Sequence, residues 1–236
     1  MKRFFVSQIL GNDFELTGSE HHHLAFVMRA KPGDKIILCN GDNCDYKYTI
    51  VKITRDEATL AFDSKSKNKQ NPKNKLVVFI GLIKLDNLAL IVEKLNELGA
   101  SELVPFTSSN SNIAAKNVNI EKLNSIAKQS CKQCGRSIPL KVHEPITFKE
   151  MLNEITSFDN TFYADRGEKQ DRITREKTQG SSYNALVIGP EGGFTLEENL
   201  VITEVATPIT LGSRTLRSET AAIAATTLIL SKMGEI

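Results

Sequence analysis

The stretch DSKSKNKQNPKNK, residues 63–75, has no apolar residue to anchor it, and it divides the chain into two regions of different hydrophobic rhythm. It carries five lysines and one aspartate and reads as a solvated linker or long loop. Before it, apolar residues come in short strand-like runs: FFVSQIL at 4–10, DFELTG at 13–18 and ATLAF at 58–62. Between them, KIILCNGDNCDYKYTIVKI at 35–53 reads as two strands around Asn40-Gly41, a dipeptide suited to the type I′ hairpin turn. One short helix is expected at 20–29, with Ser19 as its N-cap. Short strands with a single helix predict a small β-barrel.

After the stretch, strands alternate with helices. LVVFIGLI at 76–83 is continuously apolar, as a strand covered on both faces must be. A helix is predicted from an Asp86 cap, with Leu88, Ile91, Val92, Leu95 and Leu98 on one face and Gly99 as its stop. ELVPF at 102–106 follows as a strand, then a helix over 120–134 with Ile120, Leu123, Ala127 and Cys131 or Cys134 inward. Thr147 with Glu150, and Thr195 with Glu198, have the spacing of capping boxes. TFYA at 161–164, NALVI at 184–188 and PITLG at 208–212 read as strands, and Ser218 is expected to cap a last helix to about Met233. The fold class is α/β with a mostly parallel sheet, preceded by the small barrel.

Composition sets limits rather than a function. A net charge of +2 at pH 7 excludes a strongly cationic surface, so any nucleic-acid contact has to be a local patch. The basic start MKRFFVSQIL is broken at Ser7 and Gln8 without a small-residue cleavage site, and the longest apolar run is far too short to span a bilayer. A cytoplasmic location is expected. Cys39, Cys44, Cys131 and Cys134 form a C-x4-C and a C-x2-C pair, the first bracketing the Asn-Gly turn and the second inside a helical pattern. That is a loose zinc spacing, and no metal is expected.

Two loops carry the chemistry. VIGPEGGFTLEE at 187–198 joins a strand to a helix through Gly189, Pro190, Gly192 and Gly193, where backbone can approach a ligand closely. It has neither the G-x-G-x-x-G nor the P-loop spacing, and Glu191 stands in its middle. A carboxylate about 4 Å from a phosphate oxygen costs roughly 4 kcal/mol at an effective dielectric near 20, which argues against a phosphate ligand. LGSRTLRSETA at 211–221 places Arg214 and Arg217 between a strand end and a helix start, where ligands bind in open α/β sheets. The histidines His21, His22 and His23 point in different directions around a helix and make a poor metal site.

These segments together resemble one family. RFFV at 3–6, HHLAFVMRAKPGD at 22–34, K-x9-K-x2-ELGA from Lys84 to Ala100, KQCGR at 132–136, IGPEGGF at 188–194 and LGSRTLRSETA occur in its order. The chain is similar to the ribosomal RNA small-subunit methyltransferase E family, the 16S rRNA uridine N3-methyltransferases of the SPOUT superfamily. The resemblance implies a PUA-like β-barrel RNA-binding domain over 1–68 and a SPOUT methyltransferase domain over 69–236, tied in a trefoil knot. It implies a homodimer acting on 16S rRNA of the small ribosomal subunit with S-adenosylmethionine as cofactor and no metal. The cofactor would lie against Ala164, Ile188, Gly189, Pro190, Gly192, Gly193, Leu211, Gly212 and Leu216. Arg217, Glu219 and Glu191 are the catalytic candidates, and Arg3, His23, Arg29, Lys84, Lys94 and Arg136 the RNA contacts. The chain departs from the family pattern at Asn110, where arginine is frequent, and at Lys132, where glutamate is usual. Two alternatives stay open: a SPOUT methyltransferase of another RNA nucleotide, and a non-catalytic dimeric RNA-binding module.

Overall fold

The computed structural model describes residues 1–8, 10–164 and 181–236, and the chain divides into two compact units. The first comprises residues 1–71 with 131–139, and the second 72–130 with 140–236.

In the first unit, β1 (Lys2–Phe5), β2 (Phe14–Thr17), β3 (Lys35–Cys39), β4 (Cys44–Ile53) and β5 (Glu57–Lys67) form one sheet in the order β1-β3-β4-β5-β2. Only β1 and β3 run parallel. Alternate residues point inward, so Ile36, Leu38, Tyr48, Ile50 and Leu60 close on Phe4, Leu16 and Leu24. The hairpin between β3 and β4 departs from the expected two-residue turn. Its loop has four residues, with positive φ at Gly41 (87°) and Asn43 (65°). The side chains of Asn40 and Asp42 accept the backbone N–H groups of Asp42 and Cys44, and this local alternative replaces the tighter turn. The expected linker is also corrected, because residues 63–67 continue β5 and pair with β4. A backbone ladder needs no apolar side chain, and Lys65 adds a contact 4.8 Å from the Tyr46 ring centroid.

Helix α1 (Gly18–His22) starts before the anticipated Ser19 cap and runs into a π-helical turn, His23–Val27. That turn ends with the Ala30 N–H donating to the Leu24 carbonyl at 3.1 Å, which places Arg29 in the left-handed region at φ 49°. This is the position of a helix end that glycine usually fills.

The second unit is a sheet with helices on both faces. β6 (Lys75–Gly81), α2 (Leu85–Leu98), β7 (Glu102–Thr107), α3 (Ile120–Cys134), β8 (Lys141–Val142), β9 (Ile146–Thr147), α4 (Phe148–Ile155), β10 (Asn160–Ala164), β11 (Tyr183–Ile188), α5 (Leu196–Val205), β12 (Thr207–Ile209) and α6 (Ser218–Met233) follow one another. The strand order is β12-β10-β11-β6-β7-β8, with β9 beside β7, and every pair is parallel. The apolar run in β6 divides by period two: Leu76, Val78 and Ile80 join the core under α2 and α6, while Val77 and Phe79 join that under α4 and α5. Both capping boxes form, at Thr147–Glu150 and Thr195–Glu198. Asp86 and Ser218, by contrast, lie inside their helices, whose N-cap residues are Lys84 and Arg217 without side-chain capping bonds. On the predicted face of α3, Leu123, Ala127 and Cys131 are buried. Among the described residues no helix is long and apolar enough to cross a membrane.

A left-handed non-glycine residue costs roughly 1–2 kcal/mol, partly offset here by the greater chain entropy of unfolded glycine. Arg29→Gly is therefore expected to stabilise the first unit by about 0.5–1 kcal/mol, read as a higher urea midpoint. A lower midpoint would show that the arginine side chain holds the turn.

Candidate active site

A cavity of about 370 Å³ opens at the carboxyl ends of β10 and β11 and beside the loop that follows β12. Open α/β sheets bind ligands at such strand ends. Its wall brings together Ala164, Ile188, Gly189, Pro190, Gly192, Gly193, Leu211, Gly212 and Leu216, all the residues expected to hold a cofactor. Phe194, Asn199, Arg214, Ser218 and Ala221 complete it.

The glycine loop is shaped by close packing. A Cβ on Gly81, the last residue of β6, would lie 2.5 Å from the Pro190 nitrogen, and one on Gly192 would lie 2.9 Å from Asn110 Cβ. The Gly193 N–H donates to the Pro190 carbonyl at 2.9 Å, closing the turn. Asn110 donates from Nδ2 to the Gly193 carbonyl at 3.0 Å, so the residue that departs from the family pattern fastens the loop from outside. Glu198 is buried; beyond its capping role it accepts the Ser109 N–H at 2.8 Å and so anchors the 108–111 turn to α5. Gly81 carried a sequence signal, since an isolated glycine in a strand marks close backbone approach. Asn199 and Phe194 carried none, because only the start of α5 brings them to the cavity. Asn199 Oδ1 is buried in the wall and has no hydrogen-bond partner among the described residues.

The three catalytic candidates sit outside this lining. Glu191 is exposed and accepts from Asn87 Nδ2 at 3.3 Å. Arg217 has a side chain 87% exposed, 4.0 Å from a Glu219 carboxylate that is only 13% exposed. At that distance, with the guanidinium in solvent, the pairing does not fix Arg217 tightly.

The candidate RNA contacts separate into two kinds. Arg29 and Lys84 are exposed, and His23 is half-buried with its ring edge-on to Phe4 at 6.0 Å. Lys94 is engaged by Glu93 and Glu97 at 2.6 and 3.1 Å. Arg3 is buried, its Nη2 donating to Asp45 at 2.9 Å and its Nη1 to Cys39 Sγ at 2.8 Å. Burial opposes the Asp45 charge, but hydrogen bonds from Arg3 and Asn68 outweigh it and hold the carboxyl below the usual carboxylate range. Burial also pushes the Cys39 thiol up to about 12 against the pull of Arg3, so it stays protonated. Arg136 is 3% exposed, and burial draws its guanidinium below its ordinary value. The geometry therefore gives Arg3 and Arg136 an interior role, a correction to their expected place on an RNA surface. Lys132, the other departure, pairs with Glu20 at 2.9 Å and lies 5.4 Å from the Phe4 ring centroid. Among the described residues no group of three or more His, Cys, Asp or Glu is placed to hold a metal ion.

The parallel α/β unit carries a glycine-walled cavity at its strand ends, and a small β unit makes up most of the rest of the chain. The model of an RNA methyltransferase domain matches residues 69–230, and that of an RNA methyltransferase PUA domain matches 16–63. The chain is 32% identical over 229 residues to the ribosomal RNA small subunit methyltransferase E of Bacillus subtilis (strain 168), covering 92% of this chain and 89% of that protein. It is 26% identical over 230 residues to the Rickettsia conorii protein of the same name, covering 94% and 92%. The crystal structure of the Neisseria gonorrhoeae protein of that name, bound to S-adenosyl methionine, matches the fold with a TM-score of 0.88 at 23% identity, over 98% of this chain and 97% of that one. The chain belongs to the ribosomal RNA small subunit methyltransferase E family.

Because backbone rather than a flexible side chain blocks a Cβ at Gly81, Gly81→Ala is expected to destabilise the second unit by about 1–3 kcal/mol. Urea unfolding measures this; an unchanged midpoint would mean that the loop moves aside freely.

Proposed function

We propose that this protein transfers a methyl group from S-adenosylmethionine to N3 of a uridine in 16S rRNA of the small ribosomal subunit. The observation that carries the reading is the single cavity wall built from the 188–193 and 211–216 segments. The wall suits this cofactor in three ways. Its volume is within the range of small-ligand sites. Its glycines at 189, 192 and 193 expose backbone without side chains. The unpartnered Asn199 Oδ1 is an acceptor that a nitrogen donor of the ligand would satisfy. Gly189, Gly192, Leu211 and Leu216 would hold the cofactor, with Arg214 in the wall available to a carboxylate. When bound, S-adenosylmethionine supplies an electrophilic methyl group on a positive sulfonium, and Glu191 at the rim does not oppose that charge.

The chain's own part is to position uracil and to manage one proton. The uracil N3–H is weakly acidic, and its nitrogen must lose that proton to become a nucleophile. Arg217 orients the base and stabilises the negative charge that spreads to its carbonyl oxygens. Glu219, close to Arg217, or Glu191, held by Asn87, accepts the proton. RNA is held in part by the first unit through His23 and Arg29, and Lys84 contributes from the second. We read the active species as a homodimer working in the cytoplasm, with exposed Leu196, Leu200 and Leu228 as apolar surface for a second copy. The trefoil knot belongs to the same reading, supported by α6 packing on α2, β6 and β11 after β12 at the sheet edge.

Primer extension across small-subunit rRNA tests the substrate. N3 methylation blocks the Watson–Crick edge, so one enzyme-dependent stop at a uridine is expected, and its absence would remove the reading. Arg217→Ala is expected to lower methylation about a hundredfold or more while S-adenosylmethionine affinity is kept. Full activity in that variant would end the role given to Arg217. Gly192→Val, with its Cβ forced toward Asn110, should instead weaken cofactor binding measured by calorimetry.

A further inference from the structure

Phe26 is an aromatic side chain placed where burial does not account for it. It is 54% exposed, next to Val27 at 62%, although Leu24 and His21 of the same segment are buried. The ring is nonetheless held. His21 meets it edge-on, with centroids 6.2 Å apart and planes at 89°, and the exposed His22 lies against it at 5.0 Å with planes at 36°. All three residues belong to α1 and the π-helical turn that follows it, a rare local geometry that recurs at functional sites. Two exposed cations, Arg29 and Lys31, follow within a few residues. Arg29 occupies a left-handed position where glycine would be less strained, so the backbone itself shows no reason for an arginine there.

We propose that Phe26, backed by His22, is a stacking platform for an unpaired base of single-stranded RNA, with Arg29 as its phosphate partner. A fixed, outward aromatic ring beside cations is what single-stranded nucleic acid requires, because every base presents a π-face and every nucleotide a phosphate. Duplex RNA keeps its bases stacked internally and offers no such face. The proposal rests on the reading of the chain as an enzyme that binds RNA, and it adds the form of RNA and the residue that grips it.

The chain contains no tryptophan, so Phe26→Trp introduces a single tryptophan at the platform, excited selectively over the four tyrosines. Titration with a single-stranded oligouridylate of about twelve nucleotides is expected to quench it saturably, whereas duplex RNA leaves it bright. In filter binding to the same oligonucleotide, Phe26→Ala and Phe26→Leu should both weaken affinity about five- to hundredfold, because leucine keeps apolar area but cannot stack. Wild-type affinity in Phe26→Leu, or an unquenched tryptophan while RNA stays bound, overturns the platform and leaves the RNA reading intact. If Phe26→Ala instead separates a dimer in sedimentation, the face is a contact between copies and the proposal is overturned. If the wild-type chain binds no RNA of either form, the underlying reading fails with it.

Discussion

The approach of β6 to the loop after β11 is the contact on which the candidate site depends. These two strands are parallel neighbours, paired from Lys75–Tyr183 to Ile80–Ile188, so their carboxyl ends emerge side by side. At the next position Gly81 lies against the Pro190 backbone, leaving no space for a side chain. This fixes where the 189–193 turn can run, and the turn in turn forms much of the cavity wall. Asn110 and Glu198 then hold the surrounding loops by hydrogen bonds to backbone rather than by apolar packing. The cavity is therefore shaped mainly by backbone, which leaves room for a ligand and gives it oriented N–H and C=O groups.

What could be read from the chain beforehand follows the range of the interactions involved. Capping boxes at Thr147 and Thr195 involve residues three apart, and they form as read. The apolar run of β6 needed only the rule that a strand covered on both faces shows no alternation. Residues 63–67 were misread because their strand state comes from pairing with β4, and pairing partners leave no mark in a polar stretch. The hairpin at 40–43 was misread for the opposite reason, since Asn40 and Asp42 offered the backbone a local bond that propensity for Asn-Gly did not include. In the site, residues from two contiguous segments were legible together and Gly81 carried a local signal, whereas Asn199 came from an element that only tertiary packing adds.

Cations show the same limit more sharply. Arg3, Arg29 and Arg136 look alike in sequence, yet Arg3 and Arg136 are interior and Arg29 is exposed. Desolvation separates them. Asp45 and Cys39 give Arg3 partners inside the first unit, and truncating it would leave a carboxylate poorly solvated, a cost of order 3 kcal/mol for a well-buried pair. Arg29 has the reverse character, with an unfavourable backbone and a side chain in water. A residue that costs stability where it stands and holds its side chain in water is better explained by what lies outside the fold.

Charge distribution also bears on the ligand. Glu191 disfavoured phosphate on electrostatic grounds, and in the structure it stands exposed at the rim, bonded to Asn87. There it is well solvated, so its repulsion of an anion in the cavity is weaker than the roughly 4 kcal/mol of a close pair at moderate dielectric. The stronger argument is now the wall itself. Its one described cation is Arg214, and its remaining residues are glycines, apolar side chains and the polar Asn199 and Ser218. A triphosphate would need several positive charges to replace its water, and among the described residues the wall provides one. A zwitterionic ligand with a largely apolar body is matched by a single arginine, an amide acceptor and bare backbone, and that balance favours a sulfonium cofactor over a nucleotide.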